Sequence, residues 1–144
     1  MTSVPLVRRG HAADLPAVET VQEASPDAAQ WPVSDYLGYD FRVAEAGSRI
    51  VGFLVGRTLA EGEREVLNVA VAPEFRRRGV ARQLVESFLM AAPGAVYLEV
   101  RELNIAARYL YKSMGFQEVS ARPGYYASID GSSETAIVMK FHSC

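Results

Sequence analysis

The stretch Val69-Ala70-Val71-Ala72-Pro73-Glu74-Phe75-Arg76-Arg77-Arg78-Gly79-Val80-Ala81-Arg82 constrains this chain more than any other. It reads as an apolar strand, a short turn, an arginine run, a glycine and the start of an amphipathic helix. Arginines at a helix start are electrostatically unfavourable, because the helix N-terminus already carries roughly half a positive charge. An anion at that end resolves the conflict. Backbone N–H groups without intrahelical partners, a glycine that allows close approach and flanking guanidinium groups together form a cradle for a phosphate. The plainer alternative, a solvated basic run capping a surface helix, leaves the glycine and the preceding strand without a role.

The rest of the chain supports a local anion site on a compact protein. With 144 residues, 49% of them hydrophobic, the sequence suits one globular domain with a sizeable core. The formal net charge is −2, which argues against a general nucleic-acid binder and makes the basic charge a local feature. The single cysteine, Cys144, excludes an intrachain disulfide and suits a reducing compartment. No stretch approaches a membrane span and the first residues lack a long apolar core, so a cytoplasmic protein is expected. No spacing of His, Cys or acidic residues suggests a metal site, and His11 and His142 stand alone.

Periodicity and punctuation order the elements. Leu6 to Arg9 reads as a first strand and Asp14 to Ala24 as a helix, with Leu15, Val18 and Val21 on one face and Pro16 tolerated in the first turn. A second short helix is expected over Val33 to Gly38. Phe41 to Glu45 and Ile50 to Thr58 form a hairpin about Ala46-Gly47-Ser48-Arg49, and Glu65 to Val71 is the next strand. A helix over Val80 to Ala91 carries Val80, Leu84, Val85, Phe88 and Leu89 along one stripe. Ala95 to Val100 follows as a strand. Asn104 caps a helix running to Met114, with Gly115 as its left-handed C-terminal residue. Phe116 to Ala121 and Ala136 to Phe141 complete the set, separated by a long loop from Arg122 to Glu134. The order βααβββαβαββ predicts an α/β fold with a mixed, mostly antiparallel sheet flanked by helices, in a single domain over residues 1–144.

Arg76-x-x-Gly79-x-Ala81 resembles the acyl-CoA signature of the GNAT family of N-acetyltransferases, and the strand before it and helix after it match that context. The second half, Tyr97-Leu98-Glu99-Val100-Arg101-Glu102-Leu103-Asn104 through Tyr109-Leu110-Tyr111-Lys112-Ser113-Met114-Gly115-Phe116, is similar to one branch of that family. So are Arg122-Pro123-Gly124-Tyr125-Tyr126 and Glu134-Thr135-Ala136-Ile137-Val138-Met139. That branch is the bacterial ribosomal-protein-alanine N-acetyltransferases (the RimI type), which acetylate the N-terminal alanine of a small-subunit ribosomal protein. The resemblance covers most of the chain and is strongest from about residue 65. Two features depart from the branch: the segment from Ala81 to Glu99 is about one helical turn shorter, and Pro123-Gly124 alters the expected substrate loop.

The resemblance implies a GNAT fold whose sheet splays beside the fourth strand, with acetyl-CoA as co-substrate and no metal. It implies that Val69, Ala70 and Val71 meet the pantetheine arm through their backbones, with an N–H at Val71 able to polarise the thioester carbonyl. Arg77, Arg78, Gly79, Val80, Ala81 and Arg82 would line the pyrophosphate. Asn104 would contact the cofactor arm as well as capping its helix. Glu99 is implied as general base and Tyr111, two turns along the helix from Asn104, as general acid for the departing CoA sulfur. Trp31, Tyr36, Tyr125 and Tyr126 are candidates for gripping a peptide N-terminus, and each can equally be ordinary packing. Acetylation of a small-molecule amine or a lysine side chain is the alternative within enzymes. A non-catalytic acyl-CoA-binding module is the alternative outside them, and it would need neither Glu99 nor Tyr111.

Overall fold

A computed structural model describes residues 4–127 and 133–143, with side chains for 4–123 and 134–143. Its elements are β1 (Leu6–Arg9), α1 (Leu15–Glu23), β2 (Asp40–Ala46), β3 (Arg49–Ala60), β4 (Glu63–Val71), α2 (Val80–Met90), β5 (Gly94–Arg101), α3 (Ile105–Ser113), β6 (Gln117–Ala127) and β7 (Ser133–Ser143). The hydrogen-bonded strand order is β1-β2-β3-β4-β5-β7-β6. The β4–β5 pair is parallel, whereas β1–β2, β2–β3, β5–β7 and β6–β7 are antiparallel, so the sheet is mixed as expected.

Contacts divide the chain into two compact units, Met1–Arg57 with Val66–Ala92, and Thr58–Glu65 with Pro93–Cys144. In the first, Val18 and Val21 of α1 pack with Tyr36, Phe41, Val43, Phe53 and Val55 in one apolar cluster. Their spacing puts the two valines on one helical face, and the strand residues alternate inward. Helix α2 buries Val80, Leu84, Val85 and Phe88 of the stripe read from the sequence, whereas Leu89 is only partly buried. It lies so near β3 that a Cβ on Gly52 would stand 3.2 Å from both Leu84 and Val80. Arg42 of β2 fastens the far end of α2, donating to the Ser87 carbonyl at 2.8 Å and lying over the Phe88 ring.

In the second unit, Val96, Leu98 and Val100 of β5 turn to one face, where cross-strand partners Phe141, Met139 and Ile137 of β7 join them. Tyr111 of α3 meets the Phe116 ring edge-on at 5.6 Å, and Phe116 packs against Phe141. Tyr97, Glu99 and Arg101 therefore face the other side of the sheet. Asn104 caps α3 as expected, its Oδ1 accepting from the Ala107 N–H at 3.2 Å. Gly115 ends that helix at φ 104°, a conformation that a Cβ would disfavour.

The second short helix is present over Val33–Gly38 in 3-10 form, bounded by Pro32 on one side and extended Tyr39 on the other. One expectation needs correction. The long loop expected over Arg122 to Glu134 is largely strand: β6 runs to Ala127 and pairs with β7 as far as Ala127↔Ser133. Pro123-Gly124 had signalled a break, but the ladder absorbs it as a register shift between Arg122 and Tyr126. Among the described residues no helix is long and apolar enough to cross a membrane. Nor does any cluster of three His, Cys, Asp or Glu among them suit a metal ion.

Candidate active site

The turn between β4 and α2 is built by its backbone. Pro73–Phe75 forms a single 3-10 turn, after which Arg77 and Gly79 both take left-handed conformations, with φ 63° and 78°. Arg77 is the one described non-glycine residue with positive φ, a strained state of the kind that clusters at ligand clamps. Left-handed residues at a turn are a component of the backbone nests that receive anions. Gly79 then caps α2 without any side-chain cap, and the first intrahelical bond beyond it runs from the Gln83 N–H to the Gly79 carbonyl at 3.0 Å. The N–H groups of the first helical turn precede that bond and point out of the helix N-terminus. A Cβ on Gly79 would meet nothing within 4 Å, so the space beside the turn is open. A helix N-terminus beside open space fits a pyrophosphate.

The arginines do not converge on that space as a group. Arg76 turns back, donating from Nε to the Val71 carbonyl at 3.3 Å and from Nη2 to the Ala24 carbonyl at 3.2 Å. Ala24 caps the C-terminus of α1, where a cation is favourable. The guanidinium of Arg78 lies 5.1 Å from the centre of the Phe75 ring, which Arg49 also approaches at 5.3 Å. Arg82 pairs with Glu86 one turn along α2, at 4.0 Å. The electrostatic conflict read from the sequence is thus partly relieved inside the protein.

Along β4, the Ala72 N–H bonds to the Val51 carbonyl of β3 at 2.8 Å. Backbone groups alternate sides along a strand, so Ala70 and Ala72 address β3 while Val69 and Val71 address the opposite side. Arg76 meets the Val71 carbonyl on that side, which leaves the Val69 groups and the Val71 N–H directed away from β3. Ala70 and Val71 are themselves buried.

The two candidate catalytic side chains belong to the second unit, Glu99 projecting from β5 and Tyr111 from α3. Glu99 is 20% exposed, and its Oε1 pairs with Arg122 Nη1 at 2.8 Å. Glu99 stands opposite Val138 on β7, and Val138 stands opposite Ser120 on β6, so Arg122 reaches back from the next row. In that row Arg101 pairs with Glu134 at 3.0 Å, and Glu134 also accepts from the Leu103 N–H at 3.4 Å. This contact steadies the β5–α3 turn that presents Asn104. Tyr111 is 5% exposed, and burial alone pushes its phenol well above its ordinary value, with no hydrogen bond to the phenol among the described residues. A phenol so placed stays protonated at any physiological pH and keeps its O–H available to donate.

The substrate candidates fare unequally. Tyr36 is a core residue, 1% exposed, with its hydroxyl bonded to Gln22 Oε1 and receiving Asn68 Nδ2 at 3.0 Å. Its ring packs on Phe41 and Phe53, so the packing reading describes it. Trp31 is 44% exposed in the loop after α1 and remains available at the surface. The side chains of Tyr125 and Tyr126 lie outside the described residues, although both sit on β6. Sequence reasoning did not find the partner of Glu99. Residues 23 apart in the chain meet only through the β5-β7-β6 register.

A mixed sheet of this order, with a strand leading through an Arg-x-x-Gly-x-Ala turn into a helix N-terminus, defines an N-acetyltransferase of the GNAT class. The chain belongs to the Acetyltransferase (GNAT) family, whose profile matches residues 10–116. It is similar to the [Ribosomal protein bS18]-alanine N-acetyltransferase of Salmonella typhimurium, 34% identical over 135 residues that cover 88% of this chain and 89% of the relative. It is also similar to N-alpha-acetyltransferase RimI of Mycobacterium tuberculosis, 41% identical over 100 residues, or 66% of this chain and 60% of that one. Among solved structures, the ribosomal-protein-S18-alanine N-acetyltransferase of Escherichia coli superposes with a TM-score of 0.84 at 27% identity, covering 96% of this chain and 93% of that one. The enzyme is therefore an acetyl-CoA-dependent N-acetyltransferase.

Proposed function

We propose that this enzyme transfers acetyl from acetyl-CoA to the α-amine of a protein N-terminus that begins with alanine, the acceptor being the small-subunit ribosomal protein bS18. The observation that carries the reading is the 34% identity to the Salmonella enzyme across 88% of this chain and 89% of that one. The turn at Arg77–Arg82 holds the pyrophosphate, chiefly through backbone N–H groups. Val69 and Val71 bind the pantetheine arm, with the Val71 N–H donating to the thioester carbonyl and Asn104 contacting the arm from its cap position.

The chemistry assigned to the side chains is modest. A free α-amine has a reference pKa of about 7.7–8.0, so a useful fraction is neutral near pH 7 and attacks the thioester carbon directly. As the new C–N bond forms and the C–S bond breaks, Glu99 collects the amine proton through a water. Tyr111 donates a hydrogen bond to the leaving sulfur. A CoA thiol near pKa 8.5 leaves largely as thiolate, so a strengthening hydrogen bond from a phenol held protonated suffices. Trp31 and the Tyr125-Tyr126 segment border the acceptor.

Mass spectrometry of ribosomal proteins from cells with and without the gene tests the acceptor. Loss of one acetyl group from the N-terminus of bS18, and from no other small-subunit protein, is the expected result. A peptide panel tests the class: Ala at the first position should be used in preference to Leu or Phe, and blocking the α-amine should abolish transfer. Faster acetylation of lysine side chains or polyamines than of every free N-terminus would overturn the N-terminal assignment while leaving the family intact.

A further inference from the structure

The loop between α1 and the 3-10 helix, which carries Trp31, hangs from β4 at two points. At the first, buried Asn68 clamps one residue of the loop from both sides. Its Oδ1 accepts from the Ala29 N–H at 3.2 Å and its Nδ2 donates to the Ala29 carbonyl at 3.0 Å. Asn68 also reaches Gln22 Oε1 at 3.3 Å, and Gln22 Nε2 in turn donates to the Trp31 carbonyl at 2.7 Å. At the second point, Arg76 joins the Val71 carbonyl to Ala24 and also donates to Ser25 Oγ at 3.3 Å. The two anchors stand at either end of Val69–Val71, the segment assigned to the cofactor arm.

These bonds give the first arginine of the signature an occupation that an anion ligand would not have. Its Nε and Nη2 are directed to protein acceptors, and those of Nη2 lie at the negative end of the α1 dipole. A loop without regular secondary structure would otherwise sample several positions, and each such position would present Trp31 differently. Fixing it to the cofactor strand makes the acceptor surface and the donor strand parts of one rigid arrangement.

We propose that Arg76 and Asn68 are positioning residues that set the Trp31 loop against the cofactor strand, so that Arg76 governs use of the acceptor amine rather than binding of the pyrophosphate. The proposal rests on the reading above that this loop borders the acceptor. The exposed Arg76 is the residue to vary, because Arg76→Met keeps the aliphatic stem and removes only the fork. Kinetics with an Ala-initial peptide and calorimetry with CoA should be run on the wild type, Arg76→Met, Arg76→Lys, Trp31→Ala and the Trp31→Ala/Arg76→Met double variant, with circular dichroism on each. Arg76→Met should lower kcat/KM for the peptide by about 10–10²-fold, the worth of a charge-assisted hydrogen bond or two. The affinity for CoA should stay within about twofold, a change too small to be a lost phosphate contact. Arg76→Lys should recover part of the peptide loss, and the double variant should be no worse than the poorer single one. If CoA affinity falls as far as peptide use, Arg76 is a phosphate ligand and the proposal is overturned. If Trp31→Ala impairs peptide use while Arg76→Met does not, the anchor is idle and only this proposal falls. If Trp31→Ala leaves peptide use unchanged, the loop does not receive the acceptor and the underlying reading falls with it.

Discussion

Glu99 on β5 and Arg122 on β6 form a 2.8 Å ion pair although β7 runs between their strands. The carboxylate proposed to take the proton from the amine is thus steered by a guanidinium from the edge of the sheet. Arg122 is half exposed, so the pair is accessible to an incoming acceptor and is worth little to stability. Its value lies in orientation. Glu99→Gln should lower turnover by about 10²–10⁴-fold, the range for a lost general base, with part of the loss recovered as pH rises and more amine is neutral. Full activity near pH 7 would make Glu99 a structural carboxylate.

Arg122 is predicted to act through Glu99 and not beside it. Arg122→Gln should reduce turnover less than Glu99→Gln does, and should add nothing in a Glu99→Gln background. Independent, multiplicative losses in the double variant would assign Arg122 to acceptor binding instead.

The turn before α2 makes a separate prediction. Gly79→Asp forces a β-carbon onto a left-handed residue and puts a negative charge beside the N-terminus of α2, where the phosphate is proposed to sit. Because that carbon meets nothing within 4 Å, the fold should survive. Affinity for acetyl-CoA should fall by at least about tenfold, the equivalent of one charge-assisted hydrogen bond. Normal affinity by calorimetry, with a normal circular dichroism spectrum, would remove the pyrophosphate assignment.

Tyr111 should behave as a donor that never ionises during turnover. Burial raises its pKa above the ordinary tyrosine value, so activity should not decline as pH passes through about 10 on its account. Tyr111→Phe fills the same space against Phe116, and should keep stability while lowering kcat by about 10²-fold, the order for one donor at a developing charge. Undiminished kcat would leave the residue as packing alone.

A last prediction concerns stability. Arg8 donates to both carboxylate oxygens of Asp14 at 2.9 Å, and the His11 N–H adds a third bond at 2.8 Å. The Arg8 hydrogen bonds are the largest cause holding the Asp14 pKa below its ordinary value. A depressed folded pKa stabilises the fold fully above the unfolded value near about 3.9, and that contribution is lost as pH falls through the folded value. Asp14→Asn should therefore destabilise by about 1–3 kcal/mol at pH 7, and the gap should close at an acid pH below that folded value. Equal destabilisation at both pH values in urea titrations would mean that packing, not charge, is lost.

Local physics made much of this protein legible in its sequence. The hairpin about Gly47, the stripe on α2, the Asn104 cap, the Gly115 stop and the strand–turn–helix about Gly79 each depend on neighbours within a few residues. Such signals survive without any tertiary information. The family motif lies in the same local stretches. What the fold alone decided are the contacts that need a partner distant in the chain. Arg76 turns to the end of α1, Arg78 to a ring shared with Arg49, and Tyr36 into the core because Gln22 and Asn68 satisfy its hydroxyl. Arg122 meets Glu99 only because β7 sets the register between them, and β6 continues past Pro123-Gly124 because β7 supplies a ladder. Charge and turn propensity state what a side chain needs, whereas packing and strand register determine which group supplies it.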